Sequence, residues 1–163
     1  MPTTWSTSDL YDAHEAELQV AQPMFKSFGG RARFSGSIAT VRCHEDNSRV
    51  KEQLNTDGGG RVLVVDGSGS PRCALLGDLI AASAVKFGWA GVIIHGAVRD
   101  VEALEKMELG VYALYSTPRR SVRRDEGQVG VIVSFAGVVF EPGAYVYVDR
   151  TGIVVGARRL TEG

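Results

Sequence analysis

The sequence predicts a single α/β domain over residues 1–163, with a central βαβ unit and a β-rich C-terminal third. Two stretches predict it. Between Arg61 and His95, the branched run Val62-Leu63-Val64-Val65-Asp66 precedes a helix-like segment from Gly77 to Gly88. A second apolar run, Gly91-Val92-Ile93-Ile94-His95, follows. Strand, helix and strand at this length form a crossover with parallel strands. From Val129 onward, short apolar runs alternate with Gly137, Pro142-Gly143 and Asp149-Arg150-Thr151-Gly152, a pattern of short strands and tight turns. The composition, 44% hydrophobic and 23% charged over 163 residues, suits one core of ordinary size.

The elements follow in chain order. Thr7-Ser8-Asp9 supplies short acceptors ahead of Leu10 and Tyr11, a capped helix start, with the helix ending near Leu18. Phe25 to Arg31 contains Gly29-Gly30 and reads as a loop. Ser37 to Cys43 alternates as a strand does. Asn47 to Leu54 reads as a helix stopped by Asp57-Gly58-Gly59-Gly60. The helix of the βαβ unit presents Leu79, Ile80, Ala82, Ala84, Val85 and Phe87 as its apolar face. Glu102 to Lys106 suggests a short helix, Val111 to Tyr115 a strand, and Pro118 to Glu126 a polar, mostly basic loop. Val129–Phe135, Val138–Phe140, Ala144–Val148 and Ile153–Val155 are the closing strands. No internal repeat or long linker divides the chain.

The net charge of −1 argues against a general nucleic-acid binder. No apolar run reaches the length of a membrane span. The N-terminal residues lack the pattern of a secretory signal, and the two cysteines, Cys43 and Cys73, form no CxxC pair. A cytoplasmic protein with reduced thiols is expected.

In a βαβ unit, the loops after the strands and the start of the helix share the sheet edge where open α/β sheets bind ligands. Asp78 and Arg99-Asp100 should meet there. Two carboxylates beside a guanidinium suggest a metal with an anionic ligand. Gly77-Asp78-Leu79-Ile80 opens the helix, where unpaired N–H groups can hold a carboxylate. Asp78 has two readings at this point, a helix cap or a site carboxylate. Arg99 has the planar fork for a carboxylate or enolate oxygen. Asp100 is a hard oxygen ligand for Mg²⁺ or Mn²⁺. Gly67-Ser68-Gly69-Ser70 is a poor dinucleotide loop, since Arg72 replaces the third glycine. His14, His44 and His95 lack ligand spacing, and His95 is expected to be structural. Cys73 has no feature of a nucleophile. Phe87 and Trp89 are expected in the core or at an interface. Arg119, Arg120, Arg123 and Arg124 are expected on a solvated loop.

Phe28-Gly29-Gly30-Arg31, Glu45-Asp46-Asn47, Val64-Val65-Asp66-Gly67 and His95 to Asp100 resemble the family of the regulator of ribonuclease activity A, RraA. The same superfamily contains metal-dependent 4-hydroxy-4-methyl-2-oxoglutarate aldolases. Their D-x20-R-D signature is matched here by Asp78 and Arg99-Asp100. The resemblance implies a swivelling β/β/α fold and a ring-shaped homotrimer with sites near subunit contacts. It implies that Asp100 binds a divalent metal cation, Mg²⁺ or Mn²⁺, and that Asp78 supports it through the water shell. Arg99 would bind substrate and stabilise a pyruvate enolate, and the backbone of Gly77, Asp78, Leu79 and Ile80 would hold the substrate carboxylate. The activity implied is cleavage of a small 2-oxo acid, with oxaloacetate decarboxylation as a side reaction. No residue pattern names the base that takes the 4-hydroxyl proton. The other reading is a non-catalytic regulator that binds and inhibits an RNase E-like endoribonuclease.

Overall fold

The computed structural model describes residues 4–161. In chain order the elements are α1 (Thr7–His14), a 3₁₀ turn (Glu15–Glu17), β1 (Leu18–Val20), β2 (Lys26–Ser27), β3 (Phe34–Arg42), α2 (Ser48–Leu54) and β4 (Val62–Asp66). Then come β5 (Ala74–Leu76), α3 (Asp78–Lys86), β6 (Gly91–Val98), α4 (Val101–Leu104) and β7 (Gly110–Ser116). The last third holds β8 (Gln128–Val129), β9 (Val133–Phe135), β10 (Val138–Phe140), β11 (Tyr145–Val148) and β12 (Ile153–Gly156). None of the described helices is long and apolar enough to cross a membrane.

The main sheet runs β1-β12-β11-β3-β4-β6-β7-β2, with β5 added to β6 and β8 to β3. β3, β4, β6 and β7 are mutually parallel, and β11, β12 and β1 are antiparallel. β3 serves both halves. Its first residues, Phe34 to Ser37, pair with β11, and Ile38 to Arg42 pair with β4.

Alternation along the central strands separates two cores. Leu63, Val65, Val92 and Ile94 pack toward Val50, Leu54, Ile80, Ala81, Ala84 and Leu104 of the helices. Val62, Val64 and Ile93 point the other way, onto Val133, Phe135, Phe140, Val146 and Val148. The layers are therefore β, β and α, as the resemblance implied, with the βαβ unit in the middle and the β-rich third on one side.

Several expectations about individual elements need correction. The first helix stops at His14 instead of continuing to Leu18, because Leu18–Val20 pairs with β12. Its cap is Ser6, whose Oγ accepts from the Asp9 amide at 3.1 Å. Lys26–Ser27 in the presumed loop pairs with β7. β5 was not expected, and it extends the sheet beside β6. The run from Val129 to Phe135 divides into β8 and β9, with Gly130 at φ 73° between them. On α3 the buried residues are Ile80, Ala81 and Ala84, whereas Leu79 is 80% and Val85 40% exposed. Trp89 is in the core, its Nε1 donating to the Thr56 carbonyl at 3.0 Å.

Candidate active site

Three connections meet at one end of the parallel strands. β5 leads into α3 through Gly77, β6 leads into α4 through Arg99-Asp100, and the segment after β7 returns across both. The Arg99 amide donates to the Leu76 carbonyl at 2.9 Å, and the Thr117 amide donates to the Val98 carbonyl at 2.9 Å. The Arg-Asp pair is thus clamped between two neighbouring segments, the end of β5 and the start of the stretch after β7. The topology brings Asp78, Arg99 and Asp100 together, as the spacing led one to expect.

Asp100 is held in the left-handed region, φ 58° and ψ 42°. A non-glycine residue there is uncommon, and Asp tolerates it better than most. Its carbonyl accepts from the Ala103 and Leu104 amides at 3.0 and 2.9 Å, which starts α4. Its Oδ2 accepts from the Asp78 amide at 2.9 Å. Asp100 therefore satisfies a free N–H at the start of α3 from outside that helix. The reading of Asp78 as a helix cap is not supported, since the N-cap position is Gly77 and Asp78 is already the first helical residue. The amides of Leu79 and Ile80 stand in the first turn, where the helix offers no carbonyl partner.

Gly77 is needed for close approach. A Cβ there would lie 2.7 Å from Asp100 Oδ2 and 3.2 Å from Arg99 Nε. The Arg99 guanidinium is 3.8 Å from Asp100 Oδ2 through Nε, and one terminal nitrogen donates to the Pro118 carbonyl at 3.4 Å. Arg99 lines a cleft of ≈ 480 Å³ together with Gly77, Asp78, Leu79 and Ile80. On its other side Arg99 shares a smaller hollow with Asp100 and Glu102.

A metal, if bound, would meet one protein carboxylate, Asp100. Among the described residues no group of three or more His, Cys, Asp or Glu forms a cage. This donor set fits Mg²⁺ or Mn²⁺, which bind through one or two carboxylates and otherwise keep water or ligand oxygens. Asp100 has one oxygen committed to an amide and a side chain still 36% exposed, so it can serve as that carboxylate.

The basic segment is the exposed loop expected, but an anchored one. Its arginine side chains are exposed, but its main chain is tied down at several points. The Ala74 amide donates to the Arg119 carbonyl at 2.7 Å, and the Asn47 amide donates to buried Ser121 Oγ at 3.2 Å. Asp46 Oδ2 accepts from the Arg124 amide at 2.6 Å. Burial pushes the Asp46 carboxyl up, but hydrogen bonds from Ser48, Arg124 and Glu126 outweigh it and hold the group below the usual carboxylate range. Arg120 and Arg123 line the same cleft as Arg99. Sequence reasoning missed Asn47, Arg120 and Arg123 as site residues. The arginine cluster and the Glu45-Asp46-Asn47 motif were visible, but their meeting depends on contacts more than seventy residues apart.

The remaining candidates fall away on physical grounds. In the Gly67–Ser70 loop every amide is used internally: Gly67 and Gly69 donate to the His95 carbonyl, Ser68 to Asp66 and Ser70 to Gly67. No cradle is left for a phosphate. His95 stacks on Phe135 at 4.8 Å between centroids, and its Nδ1 lies 3.8 Å from Asp66 Oδ1. It lines neither hollow that Arg99 lines. Cys43 and Cys73 are buried free thiols. Burial pushes the Cys43 thiol up to about 12 and raises that of Cys73 as well, which makes both poor nucleophiles.

The RraA-like family model, described as Aldolase/RraA, matches residues 7–155. A protein of Xanthomonas campestris pv. campestris (strain B100) named "Putative 4-hydroxy-4-methyl-2-oxoglutarate aldolase" is 60% identical over 158 residues, covering 97% of this chain and 95% of its own. A crystal structure from Geobacillus kaustophilus named S-adenosylmethionine: 2-dimethylmenaquinone methyltransferase superposes with a TM-score of 0.94 at 48% identity, covering 98% of this chain and 100% of that one. The structure of the RNA-processing inhibitor RraA from Thermus thermophilis also gives 0.94, at 42% identity, covering 98% and 96%.

Proposed function

The chain belongs to the RraA-like family, and from that premise we propose that it is a divalent-metal-dependent pyruvate aldolase. It would cleave 4-hydroxy-4-methyl-2-oxoglutarate to pyruvate, and decarboxylate oxaloacetate as a secondary reaction. One observation supports this above the others: Arg99 and the open first turn of α3 line one cleft, and Asp100, from the adjoining hollow, meets both around Gly77.

The division of labour follows from that arrangement. Asp100 would hold Mg²⁺ or Mn²⁺, with Asp78 beside it acting on the surrounding water. When bound, the metal supplies Lewis-acid polarisation of a 2-oxo group. The amides of Leu79 and Ile80, at the positive end of α3, would bind the substrate's C1 carboxylate. Arg99 would place its fork on the oxygen that becomes negative as the C3–C4 bond breaks, where a fixed cation helps most. Both reactions leave the same pyruvate enolate, so one arrangement serves both.

Purified protein with Mg²⁺ or Mn²⁺ should release pyruvate from both substrates. EDTA should abolish the release and added metal should restore it. Release that survives EDTA would refute the metal assignment.

Assembly belongs to the same reading. Leu79 and Val122 are 80% and 58% exposed at the rim of the cleft, and Val85 is 40% exposed on the same helix as Leu79. A homotrimer that buries such residues would place each site near a subunit contact. The two buried free thiols suit a reducing, cytoplasmic setting. A second reading, inhibition of an RNase E-like endoribonuclease, draws on the likeness to the Thermus RNA-processing inhibitor. Such docking would leave the cleft free, and it is tested by adding the protein to such an enzyme and following RNA cleavage.

A further inference from the structure

The stretch from Arg119 to Gly127 is a partition between two hollows. Arg120 and Val122 line the cleft of ≈ 480 Å³ that Arg99 also lines, and both line a second hollow of ≈ 340 Å³ bounded by His44, Arg72 and Cys73. With space on both faces, the partition has no core to rest on. Ser121 is its only buried residue, and among the described residues none of 119–127 belongs to an apolar cluster. Polar contacts hold it, and a segment held in that way opens at a lower cost than the strands beneath it.

Those contacts fall into two groups. The ends are tied separately. The Arg119 carbonyl accepts from the Ala74 amide at 2.7 Å, and the Asp125 and Gly127 carbonyls accept from the Arg49 guanidinium at 2.7 and 3.3 Å. The middle is gripped by one turn, Glu45-Asp46-Asn47. The Glu45 carbonyl accepts from the Val122 amide at 3.3 Å, and Asp46 Oδ2 accepts from the Arg124 amide at 2.6 Å. The Asn47 amide donates to Ser121 Oγ at 3.2 Å, and its Oδ1 accepts from Arg123 Nε at 3.1 Å. Asp46 is the centre of this grip. It is 3% exposed, and its other oxygen takes the Ser48 amide and hydroxyl at 2.8 and 2.5 Å. An ionised carboxylate offers acceptors on both oxygens and no donor. Burying one is costly unless its bonds are made, so the charge at Asp46 is tied to the partition being in place.

We propose that residues 120–124 form a gate between the hollow and the cleft, with Asp46 as the positioning residue that latches it shut. The gate opens when the contacts to Glu45, Asp46 and Asn47 break together while the ties at the two ends stay. Opening joins the hollow to the cleft and gives ligands a second way in. Cys73 reports the event. Its Sγ donates at 3.5 Å to the same Glu45 carbonyl that holds Val122, and the residue is 6% exposed at the edge of the hollow. Cys43, buried in the core on the helix side of the sheet, is the control, because only unfolding uncovers it.

Hydrogen exchange on the full chain, resolved to single amides, tests the gate without a ligand. In the unaltered protein the Val122 and Arg124 amides should exchange roughly a hundredfold faster than those of β4 and β6, yet well below the rate of an unstructured chain. Asp46→Asn sets an NH₂ group against either the Ser48 or the Arg124 amide. It should speed exchange at Val122 and Arg124 about tenfold with β4 and β6 unchanged. N-Ethylmaleimide should modify Cys73 faster than Cys43, and Asp46→Asn should speed Cys73 alone. If Asp46→Asn does not fold, Ser121→Ala removes the acceptor of the Asn47 amide and should speed the same two amides. The gate is overturned by Val122 and Arg124 amides that exchange as slowly as β4 and β6, or as fast as an unstructured chain. A Cys73 as unreactive as Cys43 overturns it too. Pyruvate with Mg²⁺ should slow both exchange and labelling, because Arg120 and Arg123 line an occupied cleft only while the gate is shut. That last expectation rests on the proposed function. Opening that proceeds as expected but ignores pyruvate leaves the gate standing and removes the cleft as the site of the 2-oxo acid.

Discussion

Asp100 does three things with one residue. Its backbone turns the chain out of β6, its carbonyl starts α4, and its carboxylate reaches across to the Asp78 amide. Charge and hydrogen bonding can therefore be separated by substitution. Asp100→Asn keeps an acceptor for the amide and a residue type that tolerates the left-handed region. It should melt near the unaltered protein while losing nearly all pyruvate release. Asp100→Ala loses the acceptor too, and should cost about 1 kcal/mol, the usual value of a lost helix cap, measured by denaturant unfolding. Arg99→Lys keeps a charge and loses the planar fork. Its deficit should fall on kcat rather than KM, because the contact strengthens as charge develops. The sequence made the meeting of these residues legible, since twenty intervening residues are what a crossover helix and a strand occupy. It did not make legible which carboxylate serves the helix. That depends on Asp100 being left-handed, a backbone state that no local residue pattern announces.

At the scale of elements, the close approach of β6 and α3 depends on Gly77. A methyl group there would crowd Asp100 Oδ2 and Arg99 Nε. Gly77→Ala should fold, because φ there is −132°, yet lose activity by displacing both side chains. Circular dichroism beside the pyruvate assay checks both halves of that outcome. A second junction joins α1 to the β11–β12 turn. Asp149 accepts from the Thr7 amide and hydroxyl at 2.8 and 2.7 Å and from the Thr151 and Gly152 amides. Burial pushes its carboxyl up, but these hydrogen bonds more than offset it and hold it below the ordinary range. The unfolded group titrates at about 3.9. Between the two values the unfolded chain binds the extra proton, so stability rises with pH there. It is complete above about pH 5 and is lost as pH falls through the folded value. Thermal melts from pH 7 to 3 should show this decline, and Asp149→Asn should flatten it while lowering the melting temperature at neutral pH. Long elements such as β4 and α3 were readable from branched runs and helical spacing. β5 was not, because three residues between Cys73 and Gly77 carry no period. The apolar face of α3 was right at Ile80 and Ala84 but took in exposed Leu79 and Val85 and missed buried Ala81, because Leu79 looks like core by type and Ala81 does not. Burial followed the sheet beneath it, not hydrophobicity.

For the whole molecule, the proposed ring predicts that light scattering after gel filtration gives about three times the chain mass. Leu79→Asp should lower that figure by placing a charge among residues meant to be covered. A monomer in the unaltered protein at micromolar concentration would remove the ring. The sharing of β3 between two halves of the sheet has a further consequence, for synthesis. The nascent chain delivers β4 soon after β3, so one flank of β3 is covered early. The flank of Phe34 to Ser37 waits for Tyr145 to Val148, which leave the ribosome more than a hundred residues later. Throughout that interval the incomplete chain shows an open strand edge beside Val62, Val64 and Ile93, whose cover also comes from the C-terminal third. Such edges recruit other chains. A product stopped at residue 143 should accumulate as aggregate, and chaperone depletion should harm the full-length protein chiefly while it is being made.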